Sequence, residues 1–226
     1  MARTGAARWT FVYENLRNRI LTLELAPGAS LTEGFVAKEL EVSPTPVRDA
    51  LGRLCQDGLV EVVNGRGYRV AALTVADIGE ICDLRFVVES GGLRLACERD
   101  DADGIAELRE LSRLTGDQSV SPRELISRNQ DFHVAIARIA GGRRTAEALE
   151  RVMADSTRIF HLGLANFSSV GMQPTHDALV DAIEARDLER AVELCREECL
   201  GTSERVLARM LRSRGTTIPL ASSVAT

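Results

Sequence analysis

Two short amphipathic segments separated by a tight break dominate the first third of the chain. Pro27 and Gly28 predict a turn, after which Thr32 can cap a helix and apolar residues recur at helical spacing. These residues are Phe35, Val36, Leu40 and Val42. The pattern therefore predicts a short helix that ends just before Ser43.

A second helix is predicted to begin at Ser43, which can cap it, with Pro44 at the first helical position. Its apolar positions share one face and comprise Val47, Ala50, Leu51, Leu54 and Leu59. The opposite face carries Thr45, Arg48 and Asp49 and is predicted to point outward. Two helices joined by so short a turn are typical of a helix-turn-helix, whose second helix enters the major groove of DNA.

Two β-prone runs follow, over residues 59–63 and 68–72, separated by Asn64, Gly65, Arg66 and Gly67. This pattern predicts a hairpin wing. Arg66 at a glycine-flanked tip is suited to contact phosphate or the minor groove, although the same glycines would serve any tight hairpin.

From Thr74 onward the pattern predicts helices without strands. Breaks are expected near Asp103, at Ser121 with Pro122, at Gly141 with Gly142, from Gly171 to Pro174 and at Arg186 with Asp187, which leaves about six helices. We therefore predict a mainly α protein: an N-terminal winged helix-turn-helix over 1–74 and a C-terminal all-α bundle over 75–213. A flexible tail is expected over 214–226.

Composition narrows the function classes. Residues 1–74 carry nine basic against eight acidic side chains, and the whole chain has a formal net charge of -5 and a pI near 5.4. This balance argues against a non-specific nucleic-acid coat protein but is compatible with a few well-placed arginines. No apolar run suits a membrane span or a signal peptide, and the five cysteines show no paired framework, so we expect a cytoplasmic protein with free thiols.

A candidate metal site comes from the second part of the chain. Asn129 and His133 lie four residues apart and share a helix face, whereas His176 and Glu198 fall on later helices. If they converge, two imidazoles, a carboxylate and an amide oxygen would suit zinc, nickel or manganese. Scattered histidines in a bundle are more often hydrogen-bonded core residues, and Cys195 and Cys199 share a face where metal binding is a secondary alternative.

Residues 11–74 resemble the winged-helix domain of the GntR family of bacterial transcription regulators. The proline-glycine turn, the run from Ser43 to Leu51, the Asp57 to Val60 segment and the Arg66-Gly67 wing occur in family order. The resemblance implies DNA contacts by Ser43, Thr45, Arg48, Asn64 and Arg66. The family commonly has arginine where this chain has Pro44, and some members have another where it has Gly34.

Residues 75–213 are similar to the FCD effector domain of one GntR subgroup, which commonly holds a metal with an Asp or Asn, a histidine four residues later and two further histidines. Asn129, His133 and His176 match that pattern, and the fourth position falls on Glu198, with Cys199 as a neighbouring alternative. The resemblance also implies that Arg85 faces the effector. The alternative is a helix-surface pair of Arg85 with Glu89, and the two interpretations predict different burial.

The resemblance implies a homodimer that binds a palindromic operator and represses transcription until a small organic acid binds at the metal. A metal-responsive regulator, for which the ion itself is the signal, is a second hypothesis. A helical metalloenzyme is a third hypothesis, but the chain has no nucleophile motif or phosphate loop, so we expect no enzymatic activity.

Overall fold

In the computed structural model, which describes residues 5–141, 143–163 and 172–212, the chain divides into two compact units, one up to Thr74 and one from Val75. The tail predicted to be flexible over 214–226 lies outside the described residues, as do Gly142 and Gly171. No described helix is long and apolar enough to cross a membrane.

The first unit contains three helices and a three-stranded antiparallel sheet. Its elements are α1 (Gly5–Leu21), β1 (Ser30–Leu31), α2 (Glu33–Glu39), α3 (Pro44–Gln56), β2 (Val60–Val63) and β3 (Gly67–Val70). The strand order is β1-β3-β2, with Ser30 opposite Arg69 and Val60 opposite Val70. The predicted helix pair and wing are confirmed, whereas α1 and the two-residue β1 were not predicted.

The core of this unit explains why α3 sits where it does. The apolar face predicted for α3 is buried, since Val47, Ala50, Leu51 and Leu54 are fully enclosed and Leu59 is 3% exposed. One part of the α2 prediction is wrong: Phe35 is 59% exposed, because this seven-residue helix buries only Val36 and Ala37. A short helix with one packing partner has room for fewer core positions than its apolar residues suggest.

The second unit is all helical over its described residues. Its helices are α4 (Val75–Cys97), α5 (Ala102–Thr115), α6 (Pro122–Ile139), α7 (Arg143–Gly163), α8 (Met172–Glu184) and α9 (Leu188–Arg212). The predicted mainly α fold with a small wing is confirmed. The break predicted near Asp103 lies at residues 98–101, where Asp101 caps α5 by accepting from the Gly104 amide. One predicted break needs correction, because Pro174 lies inside the first turn of α8.

A single large core joins α4, α5, α6, α8 and α9 in this unit. Phe132, Leu108, Val180 and Ala191 are fully enclosed within it. The polar side chains described next lie on the same helices, so packing fixes their positions. All five cysteines are free, and Cys82, Cys97, Cys195 and Cys199 are buried.

Candidate DNA-contacting surface and buried polar site

Helix α3 presents a polar face to solvent. Ser43 has an extended backbone at the N-cap position, and its side chain makes no capping hydrogen bond. Ser43, Thr45 and Arg48 are all exposed on this face. The predicted outward orientation of these residues is confirmed, while their contact with DNA stays a prediction.

Arg48 is held by a partner that the sequence did not reveal. Its Nε donates to Glu33 Oε1 at 3.0 Å and its Nη2 donates to Glu33 Oε2 at 2.7 Å, a bidentate pair between α3 and the start of α2. The hydrogen bonds from Arg48 lower the pKa of Glu33. The Arg48 side chain nevertheless keeps 67% of its surface exposed, so the pair is solvated and exchangeable.

The wing presents two further polar side chains. Asn64 and Arg66 are exposed between β2 and β3, and Gly65 takes the left-handed conformation with φ of 70°. Gly67 is required for a different reason. A Cβ at this position would lie 2.7 Å from the backbone oxygen of Leu31. The tight approach of β1 to β3 therefore fixes the base of the wing.

In the second unit, three predicted residues converge, of which His133 and His176 are buried and Glu198 is partly buried. His133 on α6, His176 on α8 and Glu198 on α9 offer ligand atoms that all lie within 4.8 Å of one another. Asn129 is 1% exposed one turn before His133, but it forms no hydrogen bond with the other three among the described residues. Its Nδ2 is buried and without a partner.

Arg85 enters the same cluster from α4. Its Nη2 lies 2.9 Å from His133 Nε2 and donates to Glu198 Oε1 at 2.8 Å. Its Nε donates to Glu89, so the predicted Arg85–Glu89 pair exists. The prediction that this pair lies on the helix surface is wrong, because Arg85 is 1% and Glu89 5% exposed.

Opposite charges keep this interior network ionised. Burial disfavours charge on Glu89, but Arg85 and His133 outweigh it and lower the pKa of Glu89 to about 2. Burial also opposes protonation of His133, whereas Glu198 and Glu89 raise its pKa to about 9. Two cations thus face two carboxylates, and the buried set is close to neutral.

His176 differs from His133 in both charge and orientation. Burial lowers the pKa of His176 to about 3, so its ring is neutral. The Thr115 hydroxyl donates its only proton to the Ser112 carbonyl at 2.7 Å and lies 3.0 Å from His176 Nδ1, so it must accept from Nδ1. The free lone pair of His176 therefore resides on Nε2, which is buried without a hydrogen-bond partner and 4.0 Å from Glu198 Oε2.

Sequence reasoning missed Thr115 and Phe132 as parts of this site. The Phe132 ring stacks on His176, with centroids 4.0 Å apart and planes at 14°. Thr115 lies 61 residues before His176, and no local pattern links the two. Phe132 directly precedes His133 in the chain, but only the fold places its ring against the His176 imidazole.

The unpartnered atoms allow a test of whether a metal fits. His176 Nε2 and Glu198 Oε2 are both buried and unsatisfied, and bonds of about 2.0 to 2.2 Å allow two ligands of one ion to lie up to about 4.4 Å apart. Their 4.0 Å separation is below that limit and about 0.6 Å wider than a tetrahedral site requires, so a small side-chain adjustment would let one ion contact both. A nitrogen lone pair, a carboxylate and a second imidazole suit a divalent cation of the zinc, nickel or manganese type.

A winged helix-turn-helix with an exposed arginine, joined in one chain to a helical unit with a buried polar site, defines a two-part transcription regulator. Comparisons with known proteins agree. Residues 9–70 match the model of the bacterial regulatory proteins of the gntR family, and residues 80–198 match the FCD domain. The chain belongs to the GntR family of transcription regulators and to its FCD subgroup.

Proteins that are similar to this chain in sequence or structure are also described as transcription regulators. The chain is 32% identical over 193 residues to an uncharacterised HTH-type transcriptional regulator of Streptomyces ambofaciens, covering 84% of this chain and 82% of that protein. It is 31% identical over 199 residues to the HTH-type transcriptional repressor GlaR of Escherichia coli, covering 83% and 90%. A solved GntR regulator structure from Rhodococcus sp. RHA1 matches with a TM-score of 0.72 at 26% identity, covering 89% of this chain and 98% of that chain.

Membership has two direct consequences. The family consists of transcription regulators and not enzymes, so the metalloenzyme hypothesis is wrong and the prediction of no enzymatic activity is confirmed. GntR regulators bind DNA, and FCD domains bind small-molecule effectors and often a metal.

Proposed function

We propose that this protein is a homodimeric repressor whose affinity for a palindromic operator is set by a small organic acid bound beside a divalent metal. The observation that carries the ligand-responsive part is a buried donor: Arg85 Nη1 is enclosed and has no hydrogen-bond partner among the residues that the structure describes. An unsatisfied buried guanidinium nitrogen costs free energy, which a carboxylate ligand would recover by accepting from it.

The proposed ligand set is His133, His176 and Glu198, with the Asn129 amide as a fourth ligand. Thr115 supports this assignment because its hydrogen bond to Nδ1 leaves the Nε2 lone pair of His176 available. When bound, the cation would supply a Lewis-acidic position for one oxygen of the acid. His133 would give up its proton, and Arg85 would keep its charge and orient the carboxylate.

Among the described residues, the gap lined by Glu89, Leu93, His133 and Leu149 has no room for a water molecule, so we do not place the acid there. If the acid binds the DNA-free form more tightly, a coupling of about 1 to 3 kcal/mol changes operator occupancy about 5- to 150-fold.

DNA recognition is proposed to centre on Arg48, with Ser43 and Thr45 beside it and Asn64 and Arg66 on the wing. In a dimer on a palindromic site, the two copies of α3 would enter successive major grooves, with Arg48 contacting a guanine edge. Arg48 would exchange Glu33 for the base. Its bidentate geometry with a carboxylate is the same fork geometry that guanine O6 and N7 require.

The DNA assignment is tested by fluorescence anisotropy on the promoter region of the protein's own gene at fixed salt. Arg48→Ala should weaken binding by about 1 to 3 kcal/mol, or roughly 5- to 150-fold. Arg53→Ala is the matched control, because Arg53 is an exposed arginine of α3 that pairs with Asp57. Unchanged binding by Arg48→Ala would reject the assignment.

The ligand set is tested by metal analysis of purified protein. His133→Ala and His176→Ala should each lose the bound metal, whereas His161→Ala should retain it, since His161 is a buried histidine outside the proposed set. Stoichiometric metal in both of the first two variants would contradict the proposal. Titrating metal against operator binding without any acid then separates the metal-responsive hypothesis from acid sensing.

The dimer has support in two exposed apolar residues on one face of α4. Leu84 is 51% and Val87 64% exposed, and a second copy of the chain would cover them. Val87→Glu should halve the molar mass measured by light scattering. Val62→Glu, at an equally exposed apolar position in the wing, should leave the mass unchanged.

A further inference from the structure

A pair of thiols lies directly behind the Arg85 network. Cys195 and Cys199 occupy successive turns of α9 and are 1% and 0% exposed. Their sulfurs and a carboxylate oxygen of Glu89 lie within 4.8 Å of one another. The Cys195 thiol donates to Glu89 Oε2 at 3.5 Å.

The metal-ligand atoms that Cys195, Cys199 and Glu89 offer differ chemically from those of the histidine cluster. Two thiolates and one carboxylate favour a thiophilic ion such as zinc or cuprous copper, whereas imidazole and carboxylate accept a broader range of divalent metals. Metal–sulfur bonds of about 2.3 Å allow two sulfurs of one ion to lie up to about 4.6 Å apart. In a tetrahedral site the two sulfurs would lie about 3.8 Å apart, so the Cys195 and Cys199 sulfurs, which lie within 4.8 Å of each other, would approach by at most about 1 Å to bind one ion.

Charge in the surroundings would compensate the two thiolates. Arg85 is a buried cation whose charge interacts with Cys199 and with Cys195. Without an ion, the contact with Cys199 and burial raise the pKa of the Cys195 thiol well above its usual range. Ion binding would release both thiol protons to solvent and leave a site of low net charge beside Arg85.

We propose that Cys195, Cys199 and Glu89 form a second metal site, specific for a thiophilic cation and distinct from the His133, His176 and Glu198 cluster. Glu89 stands between the two sites, because its Oε2 lies 3.1 Å from His133 Nδ1 as well as 3.5 Å from Cys195 Sγ. An ion on the sulfurs would draw Glu89 away from His133. The two sites are thus adjacent through one carboxylate but differ in their ligands.

Cadmium(II) is the probe, because its charge-transfer absorption in the ultraviolet reports thiolate ligands and not histidine. The full-length protein, reduced and stripped of metal, is titrated with cadmium. The wild type should gain the absorption band with an end point of one thiolate-bound ion per chain. Cys195→Ser and Cys199→Ser should each lose most of the band, with their folding checked by circular dichroism.

Two sets of controls make the outcome decisive. Cys97→Ser should keep the full band, since Cys97 is a buried cysteine of the core on another helix. His133→Ala and His176→Ala should also keep it. The proposal is overturned if the wild type shows no band, if Cys195→Ser and Cys199→Ser retain it, or if the histidine variants lose it, which would indicate one mixed site. Because the histidine ligands give no such absorption, these outcomes are independent of the test in the preceding section.

Discussion

The two units use the same pair of residue types in opposite surroundings. Arg48 and Glu33 form a bidentate pair in solvent, with 67% of the arginine side chain exposed, whereas Arg85 pairs with Glu89 and Glu198 in an interior where it is 1% exposed. A solvated pair costs little to separate, so Arg48 is able to exchange its partner for DNA. A buried pair resists separation, because either member left alone would be an uncompensated charge.

The largest expected effect comes from removing Arg85, the cation of the buried ion pairs. Arg85→Met should lower the free energy of unfolding by about 3 to 5 kcal/mol, because Glu89 and Glu198 would lose their shared cation. Arg109→Met is the control: Arg109 also contacts two carboxylates, Asp181 and Glu184, but is 44% exposed. Urea denaturation should give at most about 1 kcal/mol for that control. Equal effects of the two changes would refute the contrast.

A backbone contact in the first unit gives the next largest effect. Gly67→Ala should cost about 2 to 4 kcal/mol, since φ is 88° and the new Cβ would meet the Leu31 carbonyl oxygen at 2.7 Å. Gly65→Ala, where φ is 70° and no atom lies within 4 Å, should cost only about 1 to 2 kcal/mol. Thermal unfolding compares the two, and a similar loss from both would show that the approach of β1 is unimportant.

The orientation of His176, a proposed metal ligand, can be tested without removing a charge. Thr115→Val removes the hydroxyl that holds His176 Nδ1, and metal affinity should fall about 10- to 100-fold. Competition with a chelator measures the change. Thr157→Val is the matched control, because Thr157 is also buried and donates to the Met153 carbonyl one turn earlier, and neither Met153 nor its other partner, Gln130, is a proposed ligand. Undiminished affinity in Thr115→Val would remove Thr115 from the site.

The smallest effect distinguishes two helix caps in the first unit. Thr32 accepts from the Phe35 amide, so Thr32→Ala should destabilise the unit by about 1 kcal/mol. Ser43 makes no capping hydrogen bond, so Ser43→Ala should leave stability almost unchanged. If Ser43 contacts DNA as proposed, its loss should instead weaken operator binding. A Ser43→Ala variant that loses stability but binds DNA normally would reverse these roles.

The sequence predicted what local patterns encode. The start of α3 could be located because Pro44 and the apolar spacing from Val47 to Leu54 act within one helix. Strand β1 could not, because two residues form a strand only where the fold brings Ser30 against Arg69. Phe35 follows the same apolar spacing as Val36, but that local pattern does not show that the fold leaves Phe35 exposed and buries Val36.

The same division applies to the buried site. The spacing of Asn129 and His133 predicted a shared inward face, and the family resemblance pointed to His176, Glu198 and Arg85. Contacts between distant elements could not be predicted from the sequence, since Thr115 and His176 are 61 residues apart and Arg85 and Glu198 are 113 apart. The exchangeable partner of Arg48 was missed for a similar reason, because Glu33 lies on the preceding helix.

The Glu33 carboxylate beside Arg48 has a consequence for how the protein searches a genome. While the pair is closed, the cation on α3 is electrically masked, and random phosphates gain little by approaching it. A guanine edge that accepts both arms of the guanidinium offers a replacement of similar geometry. If α3 contacts DNA as proposed, Glu33 would weaken the general attraction of Arg48 for the DNA backbone, and a contact that replaces both hydrogen bonds would recover that loss.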